Sequence, residues 1–328
     1  PCGHYPVFEG YDHMQYQIRD PKGFAEMLAH IAERDCMPEL PFIRKRVIPM
    51  KYKIEKNTVQ ETLIIPLYAR KVCSELYPNL YRDETAVRLI DEIDYDFSEA
   101  EKKSRSLMQR FGSLEVAMRQ NDLAFEVRDY LKDHPHAAVV NLGCGLDSTG
   151  RSCDNGSCKI YNLDLPDVIA VRNELLPTGE REENIPCNLN DTEWFSQIDA
   201  SGGAVFFASG VFYYFLTEQV KALVQKMADA FPGGVLVFDA ANRTAVKMIA
   251  KTWLKSAKIK NVGAYFAVSD APQEISAWDS RLQVTSRGYM LGYTDLKDPS
   301  VSGFFRLLAK IGDGMMKMQI VKIGFGGK

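Results

Sequence analysis

No stretch of this 328-residue sequence stays apolar over the ~20 positions that a membrane-crossing helix requires, so no transmembrane helix is read and no membrane partner is expected. Cysteine is sparse and scattered. The seven residues lie partly inside apolar runs, which is the usage of buried thiols and not of a disulfide framework. Cys153 and Cys158 flank the turn signal Asp154-Asn155-Gly156 with no matching His or Cys pair after them, and the whole chain has five histidines, so no metal site is expected. Charge of one sign is lacking too: a net −3 does not invite nucleic acid, and the basic run Arg44-Lys45-Arg46, with Pro41 and Pro49 nearby, reads as a solvated face. No secretory signal is visible in a sequence that opens at Pro1, and the cytoplasm is the expected compartment. Internal repeats and low-complexity segments are also missing, and nothing in the sequence speaks to oligomeric state.

What is present is the raw material of a large α/β domain: 46% apolar residues support a sizeable core without staples. Residues 1–56 show little periodicity beyond a short helix over 24–32. A firmer helix is expected from Thr58, where Glu61 completes a capping box and Val59, Leu63 and Leu67 share a face. A second is expected over 113–131. From 137 the rhythm changes to apolar runs at 137–142, 159–165, 185–189, 204–208 and 235–240, with helical stretches between several of them. The clearest helix is 217–231, stopped by Pro232-Gly233-Gly234. Alternation of this kind predicts a doubly wound, mostly parallel sheet, with two further strands at 281–290 and 316–325 forming an antiparallel edge. The expected organisation is an N-terminal helical extension and cap over 1–132, then a core over 133–328 that ends in a lid or antiparallel strand region.

In such a sheet ligands bind beyond the carboxyl ends of the strands, where strand order reverses. The run 137–142 ends in Gly143-Cys144-Gly145, a turn whose two glycines let backbone amides approach a ligand. About 20 residues on, Asp164 ends the second run in Asn162-Leu163-Asp164-Leu165-Pro166, the separation of a carboxylate that takes a ribose hydroxyl pair. It is equally placed to cap the helix that Pro166 begins. No third glycine follows Gly145 at the dinucleotide spacing, which disfavours a pyrophosphate, and with it a nicotinamide oxidoreductase, and favours an adenosine without phosphates.

The strings Val139-Val140-Asn141-Leu142-Gly143-Cys144-Gly145-Leu146-Asp147 and Tyr161-Asn162-Leu163-Asp164-Leu165-Pro166-Asp167-Val168 closely resemble the leucine carboxyl methyltransferase superfamily, and within it the bacterial branch of tetracenomycin-type polyketide O-methyltransferases. Thr62-Leu63-Ile64-Ile65-Pro66-Leu67-Tyr68-Ala69-Arg70, Val116-Ala117-Met118-Arg119 and Phe231-Pro232-Gly233 are similar to further family segments in the same order. The resemblance implies a class I fold with a seven-stranded sheet, and S-adenosylmethionine (SAM) as cofactor with S-adenosylhomocysteine as product. By the same resemblance Arg119 meets the methionine carboxylate of SAM, a suitable partner for a guanidinium. Gly143, Cys144 and Gly145 line the methionine and ribose region, Asp164 with Leu165 holds the ribose, and Asn188 with Leu189 stands where the family has an Asp-Leu pair beside the adenine.

Two departures stand out. The family's usual Glu-Gly after the fourth strand is Ser209-Gly210 here, and its usual Thr-Arg pair after the glycine motif is replaced around Ser148-Thr149. Methyl transfer needs alignment more than proton transfer, and a carboxylate acceptor needs no base at all. Candidate catalytic residues are Ser209, Tyr213 and Tyr214. The two tyrosines either face the sulfonium or pack the start of the next helix. The expected activity is methylation of a hydroxyl or carboxyl oxygen on a small molecule. The competing expectation is a methyltransferase-like binding protein whose turnover is reduced or lost through Ser209 and Thr149.

Overall fold

The computed structural model of the chain describes residues 51–54, 59–249 and 265–326. The helix expected over 24–32, the basic run at 44–46, Thr58 of the expected capping box and the Val59 side chain lie outside the described residues. In chain order the elements are β1 (Tyr52–Lys53), α1 (Val59–Leu76), α2 (Glu84–Glu92), β2 (Ile93–Asp94), α3 (Ser98–Ser104) and α4 (Leu107–Asp133). They continue with β3 (Ala138–Leu142), α5 (Thr149–Ser152), β4 (Lys159–Asp164), α6 (Pro166–Leu175), β5 (Glu182–Pro186), β6 (Ala204–Ala208), α7 (Thr217–Ala230) and β7 (Val235–Ala240). Last come α8 (Arg243–Ile249), α9 (Ala271–Ser276), β8 (Leu282–Gly288), α10 (Gly303–Gly314) and β9 (Gln319–Phe325).

Seven strands form one sheet in the order β5-β4-β3-β6-β7-β9-β8, parallel except for β9, which runs antiparallel to both of its neighbours. Every residue of β3, β6 and β7 is buried, the reason those segments read as unbroken apolar runs. Alternate residues face opposite layers. Val139, Val205, Phe207 and Val237 pack with Leu123, Val127 and Leu131 of α4, whereas Val140, Phe206, Leu236 and Phe238 pack with Val220, Val224 and Met227 of α7. The chain winds outward from β3 through β4 and β5, then back through β6 and β7. The strand order therefore reverses between β3 and β6, and the crevice lies where Leu142 is level with Leu163 on one side and Ala208 on the other.

One strand differs from expectation. The apolar run predicts the third strand at 185–189, but β5 is Glu182–Pro186, with Ile185 its one buried residue. It is the edge strand, so only one side of it needs apolar residues, and Leu189 belongs to the loop beyond. The second expected helix also begins earlier, at Leu107, where Ser106 accepts the Gln109 amide and caps the end. Helices α2, α3 and α10 stand outside the elements expected from the sequence, although α2 and α10 carry apolar residues at helical spacing. Asp83 caps α2 through the Ala86 amide, and Leu89 and Ile90 bury its inner face against Leu63, Leu67 and Val168. Among the described residues no helix is long and apolar enough to cross a membrane.

Candidate active site

The turn after β3 is built on left-handed backbone conformations that favour glycine. Gly143 and Gly145 have φ of +67° and +48°. A Cβ on Gly143 would stand 2.6 Å from Val211 Cγ2 in the turn after β6, so the two loops close on each other there. The amides of Gly143 and Cys144 donate to Leu163 O at 2.8 and 3.0 Å, and Gly145 N donates to Asp164 Oδ2 at 2.8 Å. Cys144 contributes its backbone alone: its thiol is buried and burial pushes its pKa up, so it is not a nucleophile.

Asp164 does not cap the following helix. The N-cap is Leu165, without a side-chain cap bond, and Asp164 Oδ1 accepts the Leu165 amide at 2.8 Å. Each carboxylate oxygen thus has one backbone donor and keeps acceptor capacity for a hydroxyl. Burial raises this carboxyl's pKa, opposed by the amides of Gly145 and Leu165 and by Arg172. Asn188 is exposed just past β5, close in chain to Cys187, whose amide donates to Asp164 O at 2.8 Å. Its Oδ1 takes the Asn190 backbone and side-chain amides at 3.1 and 3.2 Å. Leu189 is buried and Leu165 is 42% exposed.

The loop between Gly145 and Thr149 is clamped by groups that carry no motif in the sequence. Arg172, 1% exposed, donates through Nη1 to Gly145 O at 3.0 Å and Asp147 O at 2.6 Å. Arg70 of α1 donates to Leu146 O at 2.9 Å and pairs with Asp83. Asp147 accepts the Thr149 amide and hydroxyl at 2.8 and 2.7 Å. The two departures from the family pattern meet through Gln120, which donates to Thr149 Oγ at 2.5 Å and accepts from Ser209 Oγ at 3.4 Å. Ser209 is therefore tied into a buried polar chain beside Gly210.

Arg119 lies on α4 next to Gln120 and reaches the same turn. Its Nη1 donates to Asp239 Oδ2 at 3.0 Å, and its Nε is buried with no protein partner. Gly210 makes room: a Cβ there would stand 3.1 Å from Nη1. Asp239, at the end of β7 and 2% exposed, also accepts the Gly210 amide at 2.6 Å and the Tyr213 hydroxyl. Tyr213 is buried in the layer under α4, and burial carries its pKa well up, with Asp239 adding to the rise. Tyr214, by contrast, is 45% exposed. A single acid inside the otherwise apolar string Val235-Leu236-Val237-Phe238-Asp239-Ala240 is the signal for Asp239, because a buried strand carries a carboxylate only with partners to hold it. Arg70, Arg172 and Gln120 leave no such mark, since a helix surface tolerates them anywhere.

These residues fit an adenosyl-methionine ligand. An orphaned guanidinium nitrogen waits on one side, a two-glycine cradle sits in the middle, and a carboxylate with free lone pairs ends the neighbouring strand.

A profile of the leucine carboxyl methyltransferase family matches residues 65–228. The tetracenomycin polyketide synthesis O-methyltransferase TcmP of Streptomyces glaucescens is 28% identical over 188 residues, 57% of this chain and 67% of that protein. The S-adenosyl-L-methionine-dependent methyltransferase dpfgK of Gibberella zeae is 25% identical over 258 residues, 74% and 85% of the two chains. Among solved structures, a duf574 family protein from Streptomyces avermitilis superposes with a TM-score of 0.51 at 11% identity, covering 78% of this chain and 96% of that one. With the matched segment spanning half of its length, from the cradle helix α1 through α7, the chain belongs to the leucine carboxyl methyltransferase family and is a SAM-dependent methyltransferase.

Proposed function

We propose that this chain methylates an oxygen of a small organic molecule, with neither nucleic acid nor membrane as partner. The observation that carries the reading is Arg119: its Nε is buried without a partner while Asp239 fixes its far end, which leaves a donor aimed at an anion. In this reading Arg119 holds the amino-acid carboxylate of SAM and the turn Gly143-Cys144-Gly145 lies along the methionine and ribose. Asp164 takes the ribose hydroxyls beside Leu165, and Asn188 and Leu189 flank the adenine. Bound there, SAM supplies a methyl group on a cationic sulfur. Tyr214 offers an exposed ring face to that cation, while Tyr213 and Ser209 hold the turn that carries it. The protein's contribution is alignment, worth roughly 7–11 kcal/mol when near-attack geometry is held. Oxygen as the acceptor atom is supported by the likeness to TcmP, named as an O-methyltransferase. Free Cys73, Cys144, Cys153, Cys158 and Cys187 suit a reducing compartment such as the cytoplasm.

The helices before β3 are part of this site in the same reading, because Arg70 and Arg119 both come from them. Calorimetric SAM binding and release of S-adenosylhomocysteine in the presence of oxygen acceptors test the proposal. Transfer to nitrogen or carbon acceptors with none to oxygen would overturn it, as would undiminished SAM affinity in a fragment that starts at residue 133.

A further inference from the structure

Three successive carbonyls of the turn after β3 are held by two buried guanidinium groups. Arg172 of α6 donates through a single nitrogen, Nη1, to Gly145 O at 3.0 Å and Asp147 O at 2.6 Å. Arg70 of α1 takes the carbonyl between them, Leu146 O, at 2.9 Å. Gly145 is thereby held at both ends, its carbonyl by Arg172 and its amide by Asp164 Oδ2 at 2.8 Å. With φ of +48° and no Cβ, its backbone is free to take other conformations once either hold is released. The direction in which the Asp164 carboxylate points therefore depends on what holds the carbonyl of Gly145.

Arg172 is itself fixed from behind. Its Nε donates to Asn184 Oδ1 at 3.2 Å and its Nη2 to Glu182 Oε1 at 3.5 Å, both on β5. An arginine at 1% exposure is far from the usual place of that residue type. Two side-chain oxygens on β5 and two carbonyls of the turn, arranged around one planar fork, account for it. Glu182 does not rely on Arg172 as its cation. Its Oε2 takes Arg151 Nε at 2.9 Å, and its Oε1 takes Asn162 Nδ2 at 2.8 Å. What Arg172 alone supplies is the hold on the Gly145 and Asp147 carbonyls.

We propose that Arg172 is a positioning residue for the cofactor: through Gly145 it aims Asp164, and so sets the affinity for the adenosine part of SAM without touching the ligand. The inference rests on the reading that Asp164 takes the ribose hydroxyls. Without the fork, the two carbonyls lose a charged donor and the turn is no longer shaped in advance, so binding has to order it. Adenosine is the neutral part of the ligand. The effect is therefore blind to the methyl group and to the charge on sulfur, and SAM, S-adenosylhomocysteine and adenosine share it.

Calorimetry with these three ligands on the wild type, Arg172→Met and Arg172→Lys tests the assignment, with urea midpoints showing which variants are folded. Arg172→Met should weaken all three by a similar factor, at least about tenfold. Arg172→Lys keeps the charge but brings one nitrogen on a different stem, so its affinities should fall between those of the wild type and Arg172→Met. If the methionine variant does not fold, the lysine variant decides by its own loss. In Arg172→Met with Asp164→Ala, the second substitution should cost much less than it does alone, because the first acts through that carboxylate.

The pH profile separates this role from general support of the fold. The titratable groups facing Asp164 are Arg172 from α6, Cys144 from the turn and Cys187 from the loop after β5, and burial keeps both thiols neutral. SAM affinity should fall toward acid pH as Asp164 takes up a proton. That limb should move to higher pH in Arg172→Met, where the opposing cation is gone, and stay near its wild-type position in Arg172→Lys. Unchanged affinities in the folded variants overturn the Arg172 assignment, and leave the ribose reading standing if Asp164→Ala still weakens SAM. A loss confined to SAM, a loss that adds in full to that of Asp164→Ala, or an acid limb that stays in place in Arg172→Met overturns it too. If Asp164→Ala leaves the affinity unchanged, the ribose reading falls and this inference with it.

Discussion

The two halves of the sheet hold their ends in different ways. On the side of β3, β4 and β5, the cradle is made of main chain: amides point at Leu163 O and Asp164, and Arg172 and Arg70 donate to the carbonyls of Gly145, Leu146 and Asp147. On the side of β6 and β7, side chains hold side chains across long separations. Arg119 and Asp239 are 120 residues apart in the chain, and Gln120 joins Thr149 to Ser209 across 29 and 89 residues. The first construction fixes the shape of the backbone itself. The second concentrates buried charge, and it depends on every partner being present. Substitutions in the first half should therefore read out mainly in ligand affinity, and those in the second mainly in stability.

The largest effect is expected for Asp239→Ala. It strands the Arg119 guanidinium and unties Gly210 and Tyr213, and removing one partner of a buried ion pair costs about 3–5 kcal/mol. Urea unfolding measures this, and SAM affinity should fall with it as Arg119 loses its anchor. A loss no greater than that from Asp164→Ala would erase the distinction between the halves.

Asp122→Asn should change how stability depends on pH. Asp122 moves from 3.8 unfolded to about 9 folded, so the folded chain keeps a proton there that the unfolded chain releases. Its contribution is complete below 3.8 and is lost as pH rises toward about 9, with a limiting slope of about 1.4 kcal/mol per pH unit. The amide of the variant does not titrate and would carry no such slope. Unfolding midpoints compared at acid and alkaline pH check this, and parallel curves for the two proteins would show that Asp122 is not the source.

Asp164→Ala should weaken SAM by about 1.5–3 kcal/mol, ten- to a hundredfold, through loss of a charged acceptor for the ribose hydroxyls. Its effect on stability should be small, since burial already raises the Asp164 carboxyl's pKa and the alanine removes a charge that was costly to bury. Calorimetry on a folded variant with unchanged affinity would remove the ribose assignment. The smallest effect belongs to Ser209→Ala. Its hydroxyl makes one 3.4 Å bond to Gln120, so the loss should stay within about 0.5–1 kcal/mol. A larger loss would mean that the serine serves the ligand and not only the turn.

The parallel core is legible in the order of residues because β3, β6 and β7 are buried on both faces, and such strands must be apolar throughout. The bounds of β6 and β7 follow the apolar runs at 204–208 and 235–240, whereas edge strand β5 carries little apolar pattern and starts ahead of the run at 185–189. Gly143, Gly145 and Asp164 are legible for a related reason: a turn with positive φ and a carboxylate at the end of the next strand are local requirements that leave a spacing in the chain.

What tertiary structure alone decided is the partnership among charges. Nothing in the spacing of Arg119, Gln120, Thr149, Ser209 and Asp239 says that they converge, because their distances through space are set by how α4 crosses the sheet. Nor can a sequence say which acids are spent. Glu115 and Asp122 are both carboxylates on one helix, and only packing buries the second and leaves the first partly exposed beside Arg119. Their different proton affinities follow from desolvation and neighbouring charge, which are properties of the folded surroundings and not of the residue type.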